Sequence, residues 1–255
     1  MLFNSIVYGP IHSRRLGVSL GINLMPTDAK LCSFDCVYCE CGFNQQVIHP
    51  LLPTAQQVTE QLRQKLIELN QQNTKLDVIT FSGNGEPTMH PDCLAIIKQT
   101  VALRNQYAPQ AKISVLSNST QLFRPEVRQA LMMIENRILK LDSAIDATMQ
   151  AIDQPVNKQL KVQTIIDYLK QFDGDFTLQT CFLRGHNGNI QIDNTTDEEV
   201  DAWLNILPII HPKEIMIYVI DRATPVETLE KISREKMEQI ADRARQLGFN
   251  VSVSA

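Results

Sequence analysis

Four of the six cysteines fall within ten positions, at Cys32, Cys36, Cys39 and Cys41, in the segment KLCSFDCVYCECG. Thiolates are soft donors, and such a cluster in a chain lacking secretory features points to metal or redox chemistry rather than to a disulfide framework. The spacing Cys32-x3-Cys36-x2-Cys39 puts three thiolates on one short loop. Three such ligands can take three corners of an iron–sulfur cubane and leave one iron open to a further molecule. The alternative is a zinc site using all four cysteines. Zinc sites usually pair CxxC or CxxH hooks a dozen or more residues apart, and no second hook follows here. The step from Cys39 to Cys41 is short for two ligands of one small ion. On spacing alone both readings stand. The five histidines, His12, His49, His90, His186 and His211, show no paired spacing, and none is read as a metal ligand.

A second chemical segment is SGNGEPT, residues 82 to 88. Gly83 and Gly85 allow the backbone to pass close to a ligand, and Glu86 offers a carboxylate to a cationic group. Asn118 in SNST is a ligand-facing amide or a turn residue. Lys140 and Asp142 share a strand face by the two-residue period and would neutralise one another if buried together. Gln179 and Cys181 share a face of a later strand; a small buried core residue is the simpler reading of Cys181, as it is of Cys93. Arg14 and Arg15 could grip a phosphate or carboxylate or be solvated or locally paired. Asp221 and Arg222 could reach a substrate or form an internal salt bridge.

These residues must be positioned by something, and the pattern is an alternation of short apolar runs with amphipathic segments. Strands are expected at Val18–Leu24, Leu76–Phe81, Lys112–Leu116, Arg137–Leu141, Phe176–Phe182 and Glu214–Ile220, with an edge strand in the tail FNVSVS. Helices are expected from a Thr54–Gln57 capping box, from Pro91 with Leu94, Ile97 and Val101 on one face, from Pro125, and over Val162–Leu169. Two more are expected to start at caps Thr196, with Glu199 completing a box, and Thr224, with Pro225 and Glu227. Six strand–helix units imply parallel pairing through right-handed crossovers. The fold class is therefore α/β, a partial (β/α)6 barrel, with the chemistry gathered at the carboxyl ends of the strands.

The 255 residues suit one domain over 1–255, and composition is that of an ordinary globular protein, 44% hydrophobic and 20% charged. A net charge of -4 gives no broad basic surface for nonspecific nucleic-acid binding. Neither a signal-peptide pattern nor an apolar run of about 20 residues is present, so a cytoplasmic protein without membrane partners is expected.

With Tyr38 just before its last cysteine, the motif Cys32-x3-Cys36-x2-Cys39 resembles the signature of the radical S-adenosylmethionine (SAM) superfamily. The segment SGNGEPT resembles that superfamily's glycine–glutamate element, with Asn84 where a glycine is more usual. From GPIHSRRLGVSLGINLMP through SNST to IYVIDRATP, nearly the full length resembles bacterial Fe–S oxidoreductases related to wyosine-tRNA synthetases. The chain departs from the synthetases themselves: no cysteine precedes Cys32 and the first lysine is Lys30, so wyosine chemistry and a second cluster are not expected.

The resemblance implies a [4Fe–4S] cluster on Cys32, Cys36 and Cys39. It implies SAM contacts from Tyr38 against the adenine, from Gly83, Asn84, Gly85 and Glu86 around the amino group, and from Asn118, Asp142 and Gln179. It further implies reduction by a low-potential flavodoxin or ferredoxin and reductive cleavage of SAM. The resulting 5′-deoxyadenosyl radical would abstract hydrogen from a small molecule, RNA or protein. Rival functions are a non-catalytic zinc- or cluster-binding module and an activase that makes a glycyl radical on a partner protein.

Overall fold

A computed structural model describes residues 2–13, 15–45 and 50–255; Arg14 and His49 lie outside the described residues. The chain divides into two compact units, Met1–Cys32 with Asn44–Ser117 and Gln121–Arg137, and Ser33–Phe43 with Asn118–Thr120 and Ile138–Ala255.

In the first unit, strand β1 (Val7–Ser13) pairs antiparallel with β2 (Gly17–Ile22). Helix α1 (Ala55–Gln71) starts at the predicted box: Thr54 Oγ1 accepts from the Gln57 amide at 3.2 Å and Gln57 Oε1 accepts from the Thr54 amide at 2.8 Å. Its buried stripe Val58, Leu62, Leu66, Leu69 keeps the helical period, each side chain contributing about 1.5–3 kcal/mol by burial. Strand β3 (Val78–Phe81) is buried at all four positions and pairs in parallel with β2, Ser19 opposite Val78. A strand covered on both faces reads as a continuous apolar run, as LDVITF does.

Helix α2 (Cys93–Tyr107) buries Cys93, Ile96, Ile97, Thr100, Leu103 and Arg104. Leu94 and Val101, expected on that face, are only half-buried. The face is rotated because Arg104 belongs to it: Nη1 donates to the Ala111 carbonyl at 2.7 Å and pairs with Glu135 at 2.9 Å. Strand β4 (Lys112–Ser117) runs parallel to β3, and α3 (Pro125–Leu131) begins on Pro125 as predicted.

The last three residues of β5 (Asn136–Lys140) belong to the second unit. Helix α4 (Asp146–Asp153), between the strand expected at Arg137–Leu141 and the helix expected at Val162–Leu169, is followed by α5 (Val162–Leu169). Strand β6 (Thr177–Cys181) pairs in parallel with β5, Lys140 opposite Gln179. Past the strand expected at Phe176–Phe182, LRGHNGN is mostly a further strand, β7 (Leu183–Asn187), which turns at Gly188, φ +58°, into antiparallel β8 (Ile190–Asp193). The two-residue loop Gly188-Asn189, between paired Asn187 and Ile190, is a hairpin signal.

Helix α6 (Asp197–Ile210) carries the predicted cap, Thr196 Oγ1 accepting from the Glu199 amide. Strand β9 (Glu214–Tyr218) lies parallel to β6. No helix starts at Thr224. Its hydroxyl donates to the Val226 carbonyl at 2.8 Å, and the chain forms β10 (Glu230–Lys231) against β7. Helix α7 (Arg234–Gln246) starts later, capped by Ser233. The tail strand β11 (Val251–Ser254) adds in parallel to β9. Among the described residues no helix is long and apolar enough to cross a membrane.

Candidate functional site

In the first unit the chain runs from β2 through Asn23 to Cys32, and β3 delivers the SGNGEPT turn. The two segments are joined by a parallel bridge between Leu31 and Gly85. Leu31 N donates to the Asn84 carbonyl at 2.9 Å and Glu86 N to the Leu31 carbonyl at 3.2 Å. Gly85, φ +139°, has no room for a side chain: a Cβ would stand 1.8 Å from the Leu31 carbonyl oxygen. The backbone just before the first cysteine is thus sewn to the glycine–glutamate turn.

Asn84 is fully buried and spends its side chain on structure, donating to the carbonyls of Phe3 (2.8 Å) and Pro26 (2.7 Å) and accepting from the Phe3 amide (2.8 Å). Asn23, which the sequence reading passed over, accepts from the Asn84 amide at 3.0 Å. Glu86 is buried; its Oε1 accepts from the Thr88 amide at 3.0 Å and from the Thr88 hydroxyl, fixing the carboxylate. Cys32 is half-buried, and its amide donates to Asn44 Oδ1 at 2.9 Å. Cys93 is core: burial pushes its thiol up to about 12.

In the second unit the loop from Ser33 to Phe43 carries Cys36, Tyr38, Cys39 and Cys41. Its backbone is laced to the end of α4, with Asp35 N donating to the Asp153 carbonyl at 2.8 Å and Val37 N to the Ile152 carbonyl at 2.9 Å. Cys36 is buried; Cys39 and Cys41 are half-buried. Tyr38 OH donates to Asp142 Oδ2. Burial foremost, then the Asp142 charge, holds that phenol well above its ordinary pKa, so it stays a neutral donor.

Asp142 Oδ1 accepts from the Cys181 amide at 2.9 Å. Cys181 belongs to the core with Val37, Ile152, Leu183 and Ile192, as the simpler reading had it. Lys140 pairs with Asp142 at 3.1 Å, as predicted, and also with Asp153. Sequence reasoning missed Asp153 because α4, which presents it, went unread. Burial works to remove the Lys140 proton, but Asp142 and Asp153 outweigh it and hold the ammonium well above its usual pKa.

Asn118 Oδ1 accepts from the amide (3.1 Å) and hydroxyl (2.7 Å) of Thr120, and Nδ2 donates to Ser33 Oγ at 2.8 Å. Gln179 is 8% exposed, and its Nε2 has no hydrogen-bond partner among the described residues. Buried donors are rarely left so. Arg15 is half-buried after β1. Arg222 pairs with Glu40 at 2.6 Å and Asp221 with Lys231 at 3.8 Å, the salt-bridge reading of both.

Cys32, Cys36 and Cys39 are thiols, a soft donor set that fits an iron–sulfur cluster. Among the described residues no three Cys, His, Asp or Glu side chains converge to hold one metal ion. Thiolates on separate corners of a cubane need not converge on a point.

Solved structures define the class: the chain has the fold of the radical SAM enzymes. SuiB of Streptococcus suis, solved with S-adenosylmethionine bound, matches with a TM-score of 0.65 at 13% identity, covering 89% of this chain and 49% of SuiB. TYW1 with a lysine–pyruvate adduct matches at 0.61 and 12%, covering 89% and 73%. The radical SAM enzyme HemN of Escherichia coli matches at 0.54 and 12%, covering 83% and 49%.

By sequence the chain belongs to the UPF0026 family. It is 31% identical over 227 residues to the UPF0026 protein slr1464 of Synechocystis sp., covering 87% of this chain and 77% of that protein. It is also 28% identical over 239 residues to a GTPase Obg of Brachyspira hyodysenteriae, covering 91% of this chain and 32% of that protein. The chain thus spans about a third of that relative, and 58% of the UPF0026 protein of Helicobacter pylori strain J99. No family model matches.

Proposed function

We propose that this chain is a radical SAM enzyme that cleaves S-adenosylmethionine reductively to start hydrogen abstraction from a substrate. The observation that carries the reading is the thiol spacing Cys32-x3-Cys36-x2-Cys39 in a chain with the radical SAM fold. A [4Fe–4S] cluster held by Cys32, Cys36 and Cys39 would supply the electron that divides SAM into methionine and a 5′-deoxyadenosyl radical.

The chain's own residues bind and orient. Glu86, held by Thr88 and buried, presents a fixed anion to the ammonium group of SAM. Gly83 and Gly85 let the turn pack against Asn23 and the Leu31 backbone, which places Glu86. Tyr38, anchored by Asp142 and kept neutral, offers a flat face for the adenine. Gln179 Nε2 is a buried donor for a ligand oxygen, and the amide of Asn118 is already oriented by Thr120 and Ser33. A low-potential flavodoxin or ferredoxin is the proposed electron donor, with a small molecule, RNA or protein as substrate.

The test is anaerobic reconstitution with iron and sulfide. Brown protein absorbing broadly near roughly 400 nm and bleaching on reduction is expected, with 5′-deoxyadenosine released from SAM under dithionite. Colourless protein carrying stoichiometric zinc would overturn the reading. Deuterium transfer from candidate substrates into 5′-deoxyadenosine then separates the three substrate classes.

A further inference from the structure

Lys140, Asp153 and Cys36 come from three elements of the second unit and meet at one sulfur. Lys140 Nζ lies 3.4 Å from Cys36 Sγ, and Cys36 Sγ lies 3.5 Å from Asp153 Oδ1. The same ammonium is paired with Asp153 and stands 3.1 Å from Asp142 Oδ2. It also packs over the rings of Phe34 at 4.8 Å and Tyr38 at 5.5 Å, both attractive faces for a cation. Backbone bonds hold the arrangement: Lys140 sits in register with Gln179, and Asp153 ends the helix to which Asp35 and Val37 are laced.

A pair needing only neutrality would be satisfied by Lys140 at the end of β5 and Asp142 two residues on. Asp153 is a second carboxylate brought from another element against a cysteine sulfur. As a thiol, Cys36 donates to it. A ligand sulfur has no proton to donate, so metal binding would leave sulfur and carboxylate in repulsion unless a cation stood between them. Lys140 stands there.

We infer that Lys140 is a positioning residue for the cluster proposed above, donating a charged hydrogen bond to the ligand sulfur of Cys36, and that the Lys140–Asp153 pair sets the cluster's reduction potential. The inference rests on the cluster reading. Hydrogen bonds and charges at ligand sulfurs are a principal lever on such potentials. Reduction adds negative charge, so a nearby cation favours the reduced form and a nearby anion opposes it, the more strongly in a dry site.

The experiment compares reconstituted wild type, Lys140→Met, Lys140→Arg and Asp153→Asn by iron content and by redox titration followed spectroscopically. Lys140→Met is expected to lower the midpoint potential by about 59 mV or more, a tenfold fall in the ratio of reduced to oxidised cluster at the wild-type midpoint. Asp153→Asn is expected to raise it, and Lys140→Arg to stay near wild type. Opposite signs from two near-isosteric changes are not what general loosening produces. Unchanged potentials, or shifts of one sign in both, with full iron content overturn the inference. If Lys140→Met does not fold, Asp153→Asn decides alone, an upward shift supporting the inference and none overturning it. A wild type that holds no cluster instead overturns the reading beneath it.

Discussion

Glu86 is held in place by its near neighbour on the same turn. Its carboxylate is buried, and the amide and hydroxyl of Thr88 fix one oxygen, so little rotamer entropy remains to be lost on binding. Replacement by glutamine keeps Oε1 as an acceptor for Thr88 and removes only the charge. Glu86→Gln is therefore expected to fold and take up iron normally while binding SAM roughly tenfold to hundredfold more weakly, the worth of one charge-assisted hydrogen bond. Equilibrium dialysis with reconstituted protein measures this, and an unchanged Kd would remove Glu86 from the binding site. The position of Glu86 on the turn after β3 was legible from its place after Gly85. The role of Asn23 was not, because nothing in the local sequence marks an asparagine whose partner, the Asn84 amide, lies 61 residues on.

At the scale of elements, the legible features were those with local causes. Thr54 with Gln57, Pro125, and Thr196 each start a helix as their chemistry requires, but Glu199 completes no box: its carboxylate accepts from Ser143 and Thr148 instead. Thr224 with Pro225 has the same pattern and starts none, because β10 forms against β7 and its edge pairing consumes that stretch. A cap motif is permissive, and tertiary pairing overrides it. The parallel bridge of Leu31 and Gly85 is the element on which the first unit's functional turn depends. Gly85→Ala would drive a methyl group into the Leu31 carbonyl, and a loss of about 3 kcal/mol or more of stability is expected. Urea denaturation of the apo-protein measures it. A loss below about 1 kcal/mol would mean that the segment relaxes freely.

The proton balance of folding belongs to the whole molecule, and His90 bears on it. Its buried ring donates from Nε2 to the Pro53 carbonyl at 2.8 Å and accepts at Nδ1 from the Asp92 amide at 3.0 Å. Burial lowers its pKa, and a second proton would also break the Asp92 bond. With the folded value below the unfolded one of about 6.5, the unfolded chain takes the proton first as pH falls. The stability contributed by neutral His90 is thus full above about pH 6.5 and is lost as pH drops below it. Urea midpoints at two pH values, about 7.5 and about 5.5, should show a smaller drop for His90→Gln than for wild type; equal drops would exclude His90 as a source.

The amino-acid sequence by itself determined the parallel strand–helix alternation, the cysteine loop after β2 and the Gly83–Glu86 turn after β3. Those depend on periodicity, caps and spacing, which are local. Only the tertiary structure decided that Asn84 is a clamp on Phe3 and Pro26, that LRGHNGN joins a small antiparallel sheet, and that Asp153 meets Lys140 at Cys36. Each of these depends on groups far apart in the chain finding the same buried place, where an unpaired polar atom is too costly to leave.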